Sequence, residues 1–401
     1  MRVGTPGFIP ARLTEAREAR RIASMSALAR LLSVNVSTVA RWEDGSSTPD
    51  ADTLSAIADV LNVRREYFLR PTYDSPRAMF HRSLSSTLVR DINYQHAQIN
   101  WLHEISAILQ HYVDFPVIDI PDVLDGSSYK QLRDEDIERI AIDLRRHWKI
   151  GEGPCIDVVA LMERMGFVVS TIEMGTSKLD GLCSWTATED RPHILLATDK
   201  MSFPRRQMDA AHEMAHAILH REVTVQELKE NLNLIEAQAF RLASAFLLPS
   251  TTYPHEIPRP SLAALQALKE RWRVSIKAQI KRLSDLQIVP PDHCLMLYKL
   301  YSAKGWSKGE PLDRAWPITE PRILRDAMEV IVSAGVRSKS DLLAVEFTMS
   351  PDDIENITGL PRGWFSAKSG EVVKLRPPSG RSSSDRAGGI ADIVPFKRNP
   401  S

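Results

Sequence analysis

The sequence predicts a mainly α-helical protein: an all-α N-terminal bundle followed by a larger unit with a small α+β core. Three observations predict it. Residues 13–70 hold four helical stretches of about ten residues separated by polar turn residues. Between residues 134 and 200, helical periodicity gives way to short apolar segments bracketed by turn residues. The run DAAHEMAHAILH, Asp209 to His220, then sets three polar groups into an otherwise small-residue, apolar helix.

In the N-terminal bundle, Ser26 is expected to cap a helix carrying Leu28, Ala29, Leu31 and Leu32. A turn at Ser33 to Asn35 leads to a second helix carrying Val36, Val39, Ala40 and Trp42, ended by Gly45. Two helices joined by so short a turn have helix-turn-helix geometry, in which the second enters the DNA major groove. Its outward positions are Asn35, Ser37, Thr38 and Arg41, all able to hydrogen-bond bases or phosphates. Residues 1–70 carry ten arginines, no lysine and eight acids, a weak electrostatic footprint that leaves a protein-binding helical module as the competing reading.

The stretch SALARLLSVNVSTVARWEDGSSTPDADTLSAIADVLNV resembles the xenobiotic-response-element (XRE), or Cro and repressor type, helix-turn-helix. The resemblance implies sequence-specific binding to a double-stranded DNA operator, often as a homodimer on a palindrome. It makes Trp42 a packing residue at the end of the recognition helix.

From Pro71 to Pro121 the apolar spacing of Ile92, Ile99, Leu102, Ile105 and Leu109 predicts a connecting helix, followed by the proline-punctuated loop DFPVIDIPDVLDG. HRSLSSTLVRD at its start is read as a solvated helix face, with phosphate contact as the alternative. A helix from Asp134, then helix and strand in GEGPCIDVVALMERMGFVVSTIEM, then strands in GLCSWTA and HILLAT complete an α+β frame.

His212, Glu213 and His216 form H-E-x-x-H within the next helix, the pattern of zinc peptidases. Residues four apart share a helix face about 6 Å along the axis, so both imidazoles can reach one tetrahedral Zn2+. Glu213 is the expected catalytic base toward water. A buried helix is a costly place for such groups unless they share a partner. A third ligand is needed. Glu222 has the metzincin spacing, but Leu219 replaces the required glycine; His220 lies a further turn along and reads as a packing or rim residue. Glu236, in the nearly apolar NLIEAQAFRLASAFLLPS, is the stronger candidate, with a salt bridge to Arg241 or a nearby arginine as its competitor. Asp209 is read either as an acceptor behind a ligand imidazole or as a surface or capping residue. Tyr253, His255 and Arg205 are the nearest candidates for stabilising an oxyanion.

The stretch from Leu179 to Pro249 resembles the ImmA/IrrE family of metallopeptidases. The likeness is carried by Asp180-Gly181, Pro192-x-Ile194, Arg205, H-E-x-x-H-x-x-x-H and the downstream E-A-x-x-F-x-x-x-F-L-L-P. WRVSIKAQIKRLSDLQIV and GWSKGEP extend it over roughly 137–361. Met208 and Ala215 depart from the usual aromatic and glycine. The resemblance implies a zincin-like peptidase core, gluzincin-like in its ligands: His212, His216 and Glu236 on zinc, with Glu213 as base.

The expected division is therefore 1–70, XRE-type helix-turn-helix domain; 71–133, helical connector; 134–255, zinc metallopeptidase core; 256–361, helical C-terminal extension; 362–401, mostly flexible tail. Equal numbers of basic and acidic residues, 51 of each, provide no global field toward nucleic acid or membrane. No apolar run approaches the roughly 20 residues of a membrane span, and no signal peptide is legible. A soluble cytoplasmic protein with no membrane association is expected. Three scattered cysteines suggest neither disulfides nor a thiolate metal site; Cys183 alone is considered as site-lining. The expected function is a DNA-binding transcriptional regulator whose zinc endopeptidase domain hydrolyses a protein, plausibly a helix-turn-helix repressor, in stress response or mobile-element control. The alternative is a repressor or antitoxin-like regulator whose zinc domain is a sensor or structural module.

Overall fold

The structure, a computed structural model, describes residues 4–73, 77–80, 88–175, 180–186, 190–199 and 202–366. Helices α1 (Pro10–Ala19), α2 (Met25–Leu32), α3 (Val36–Glu43) and α4 (Ala51–Leu61) surround Leu13, Leu28, Val39, Ile57 and Leu61, all without solvent exposure. Ser24, not Ser26, caps α2: it has extended backbone and its side chain accepts from the Ala27 amide, which places Ser26 inside the first turn. Ser33 closes the same helix in the left-handed conformation, and Asn35 opens α3 after a turn of the expected length.

The long helix α5 (Val89–Gln110) packs on both α1 and the central sheet, and fourteen of its residues are buried. A helix buried on several sides has to satisfy its polar groups internally. Glu104 pairs with Arg12 at 2.8 Å, and the Trp101 indole donates to the Tyr67 hydroxyl at 2.9 Å. HRSLSSTLVRD lies mostly outside the described residues.

Helices α6 (Asp134–His147) and α7 (Val158–Arg164) lead into a three-stranded sheet of β1 (Val168–Ile172), β2 (Gly181–Trp185) and β3 (Pro192–Ala197), in the order β1-β3-β2. β1 runs parallel to β3 and β2 antiparallel to it. Every residue of β2 is buried, because both faces of the sheet are covered, and this is why the strands read as continuous apolar runs. Val169, Cys183, Trp185 and Ile194 face one core, formed with α8 (Phe203–Leu219) and α9 (Val225–Leu247). Val168, Ile172, Leu182 and Leu195 face a second, shared with α5 and the N-terminal bundle.

The C-terminal helices divide between these two cores. Helices α10 (Leu262–Trp272), α11 (Ile276–Asp285) and α12 (Pro291–Ala303) extend the first. Helix α13 (Ile323–Ser333), α14 (Lys339–Asp341) with the π turn Leu342–Glu346 that follows it, and α15 (Pro351–Thr358) return to the second. Val63 bridges to Met349, Arg20 pairs with Asp353, and Arg64 donates to the Leu343 and Ala344 carbonyls. Residues 4–365 accordingly lie in one compact unit. Residues 367–401, most of the expected tail, lie outside the described residues. No helix among those described is long and apolar enough to cross a membrane.

Candidate metal centre

Helix α8 starts at Ser202, whose side chain accepts from the Arg205 amide, with Pro204 in the first turn. Its alanines let β2 and α9 approach closely. Helix α9 starts with a Thr224–Glu227 capping box and departs from helical backbone at Asn231. Beyond that kink it runs against α8, so that Glu236 faces the two histidines.

The ligand atoms of His212, His216 and Glu236 all lie within 4.8 Å of one another. The two Nε2 atoms are 3.0 Å apart; His212 Nε2 is 3.5 Å from Glu236 Oε2, and His216 Nε2 is 3.4 Å from Oε1. A tetrahedral site with metal–ligand bonds of about 2.1 Å has edges of about 3.4 Å. Neither Glu236 oxygen has a well-aligned hydrogen-bond donor among the described residues. Burial would raise its carboxyl, but interaction with His212 and His216 prevails and holds it well below the usual carboxylate range. Two imidazole nitrogens and one buried carboxylate therefore fit a zinc-like cation in number, type and spacing.

The other candidates separate cleanly. Arg241 pairs with Glu138 at 2.8 Å and Asp134 at 3.0 Å on α6, so the competing Arg241–Glu236 bridge is not what compensates Glu236. The Glu222 side chain is 77% exposed and pairs with arginines. His220 is fully buried rather than at a rim; burial and the neighbouring His216 push it down to about 3. Asp209 lies 3.5 Å from Arg205, which also bonds Asp180. The Tyr253 hydroxyl donates to Gln279 at 3.0 Å in a buried pocket, and His255 is exposed.

Glu213 is 2% exposed and lies against Gly181 at the start of β2. All three cysteines are buried and free. Burial, then the charge of Glu213, pushes the Cys183 thiol well up.

Sequence reasoning missed two neighbours of the cluster. Phe80 stacks on His216 with ring centroids 4.7 Å apart, and its amide meets the Cys183 carbonyl at the edge of β2. Nothing local marks a phenylalanine so distant in the chain. Gln238 was visible as a polar break in an apolar helix, but not its partner. In the N-terminal bundle Asn35, Ser37 and Arg41 are exposed, Thr38 is half-buried, and Trp42 is packed inside.

Residues 162–284 match the family model of the M78 peptidases' IrrE N-terminal-like domain, and residues 13–68 match a helix-turn-helix family model. No curated protein matches the chain.

Proposed function

We propose that this chain, which joins an XRE-type helix-turn-helix to an IrrE-like peptidase-family domain, is a transcriptional regulator that hydrolyses a protein substrate with a zinc-dependent site. The observation that carries the reading is the close triad of His212, His216 and Glu236, with Glu213 on the same helix. His212, His216 and Glu236 would hold the zinc, which would supply a Lewis acid for the scissile carbonyl and lower the pKa of water.

The chain's own residues account for the rest. His212 and His216 present nitrogens from one helical face, and Glu236 brings the negative charge from the facing helix. Glu213 takes a proton from the attacking water and returns it to the leaving amine. Gly181, lacking a side chain, leaves the space that the Glu213 carboxylate occupies. Asn35, Ser37, Thr38 and Arg41 read operator DNA from α3, with two chains on a palindrome. The substrate best suited to such a regulator is another helix-turn-helix repressor, and the setting is stress response or mobile-element control.

The test incubates zinc-loaded protein with the repressors encoded beside its gene. Wild type cleaves one of them; Glu213→Gln retains its zinc and loses at least about a hundredfold of the rate. Undiminished cleavage by the variant would overturn the assignment.

A second reading draws support from closure of the site: His212, Glu213 and His216 are only 1–3% exposed. In it the metal domain senses or stabilises, and cleaves little. Normal regulation in cells carrying Glu213→Gln would favour it.

A further inference from the structure

We infer that His220 is a positioning residue for the metal centre: with Gln238 it dictates which nitrogen of His216 carries the proton and so which one is free to bind a cation. The inference rests on the metal-site reading above and concerns residues behind the ligands.

A chain of hydrogen bonds fixes where the protons sit. It begins at the backbone carbonyl of Tyr129, which can only accept. The Gln238 side-chain nitrogen donates to it at 2.7 Å, and this orients the amide. Gln238 Oε1 consequently faces His220 Nε2, at 3.1 Å. A carbonyl oxygen cannot donate, so Nε2 of His220 carries a hydrogen.

His220 has no solvent exposure, and around it stand Gln238, His216 and the rings of Tyr129 and Phe80. A second ring proton would place an extra positive charge among these groups, at a high desolvation cost. The neutral ring leaves a lone pair on Nδ1. That atom lies 3.2 Å from His216 Nδ1, which must therefore donate. A proton on Nδ1 leaves His216 Nε2, the atom facing His212 and Glu236, as the nitrogen that it can offer to a cation.

Without this chain His216 could adopt either tautomer, and the one protonated on Nε2 cannot bind a metal through that atom. Partners that orient a ligand histidine typically contribute about ten- to a hundredfold in metal affinity. Here the partner is itself a histidine, and the chain is anchored in the segment Tyr129–Gln131, outside both helices that hold the cluster.

The test has two parts. In full-length protein labelled with 15N-histidine, NMR should place a proton on Nδ1 of His216 and on Nε2 of His220. Zinc affinity, measured by competition with a chromophoric chelator, should fall about ten- to a hundredfold in His220→Leu and in Gln238→Met. His220→Gln, whose carbonyl oxygen still accepts from His216, should recover most of it. A His216 protonated on Nε2 and not on Nδ1, or unchanged affinity in folded His220→Leu and Gln238→Met, would overturn the inference. If the wild type takes up no zinc, the metal-site reading fails, while the proton positions still decide this one. If a substitution prevents folding, the wild-type spectrum decides it alone.

Discussion

At Gly181 a Cβ would lie 2.6 Å from Oε1 of Glu213 and 2.7 Å from its Cγ. Such contacts are too short to tolerate, and the side chain that would have to yield is the proposed base. Gly181→Ala is therefore expected to leave zinc stoichiometry intact while lowering kcat/KM by about tenfold or more, as small misplacements of a reacting group do. Metal analysis and kinetics on one preparation check it. Glu236→Ala removes the only carboxylate of the cluster and should abolish stoichiometric zinc at micromolar concentrations, as titration with a chelating dye would reveal. Both residues could be picked out from sequence, Glu236 as an acid in a nearly apolar helix and Gly181 within Asp-Gly. The contact between Gly181 and Glu213 could not, because it joins a strand residue to a helix residue thirty-two positions further on.

Helix α13 begins against a carboxylate from another element: Glu163 accepts from the Arg322 amide at 2.8 Å and the Ile323 amide at 2.9 Å. Burial pushes Glu163 up to about 7, although these two amides oppose the shift. The unfolded chain releases this proton near the ordinary glutamate value of about 4.3, whereas the folded chain holds it until about 7. The stability it contributes is thus fully present below the ordinary value and is lost as pH rises through about 7. Glu163→Gln should flatten that decline, giving a higher Tm than wild type at pH 8 but not at pH 4, as thermal melts at both would show. Helix α3 supports a separate expectation. Arg41 is exposed near its C-terminal end, and Arg41→Ala should weaken operator binding by about 1–3 kcal/mol. Equal affinity in a mobility-shift titration at fixed salt would count against the proposed reading face.

For the molecule as a whole, the helix-turn-helix bundle shares a core with α5, one face of the sheet and the last helices. Arg12 meets Glu104, Tyr67 meets Trp101, and Arg20 meets Asp353 across what the sequence reads as domain boundaries. Cutting the chain after residue 70 would break these contacts and open the shared core to water. The fragment 1–70 is expected to melt at a markedly lower temperature than the intact protein, and the intact protein to unfold in a single calorimetric transition. Two well-separated transitions would contradict a shared core.

The sequence by itself determined the local features: amphipathic periodicity marked the bundle, apolar runs marked the strands, and spacing of four put two histidines on one helical face. These depend on residues a few positions apart, for which backbone geometry is enough. The N-terminus of α2 was misread because Ser24 and Ser26 both suit a cap, and only the extended backbone at Ser24 selects it. Tertiary structure decided what depends on distant parts of the chain meeting. It paired Arg241 with α6, stacked Phe80 on His216, and linked His220 through Gln238 to Tyr129. It also split the C-terminal helices between the two faces of one sheet. Burial, not sequence proximity, makes those contacts: a polar or apolar group taken out of water must find its partner wherever packing brings one within reach.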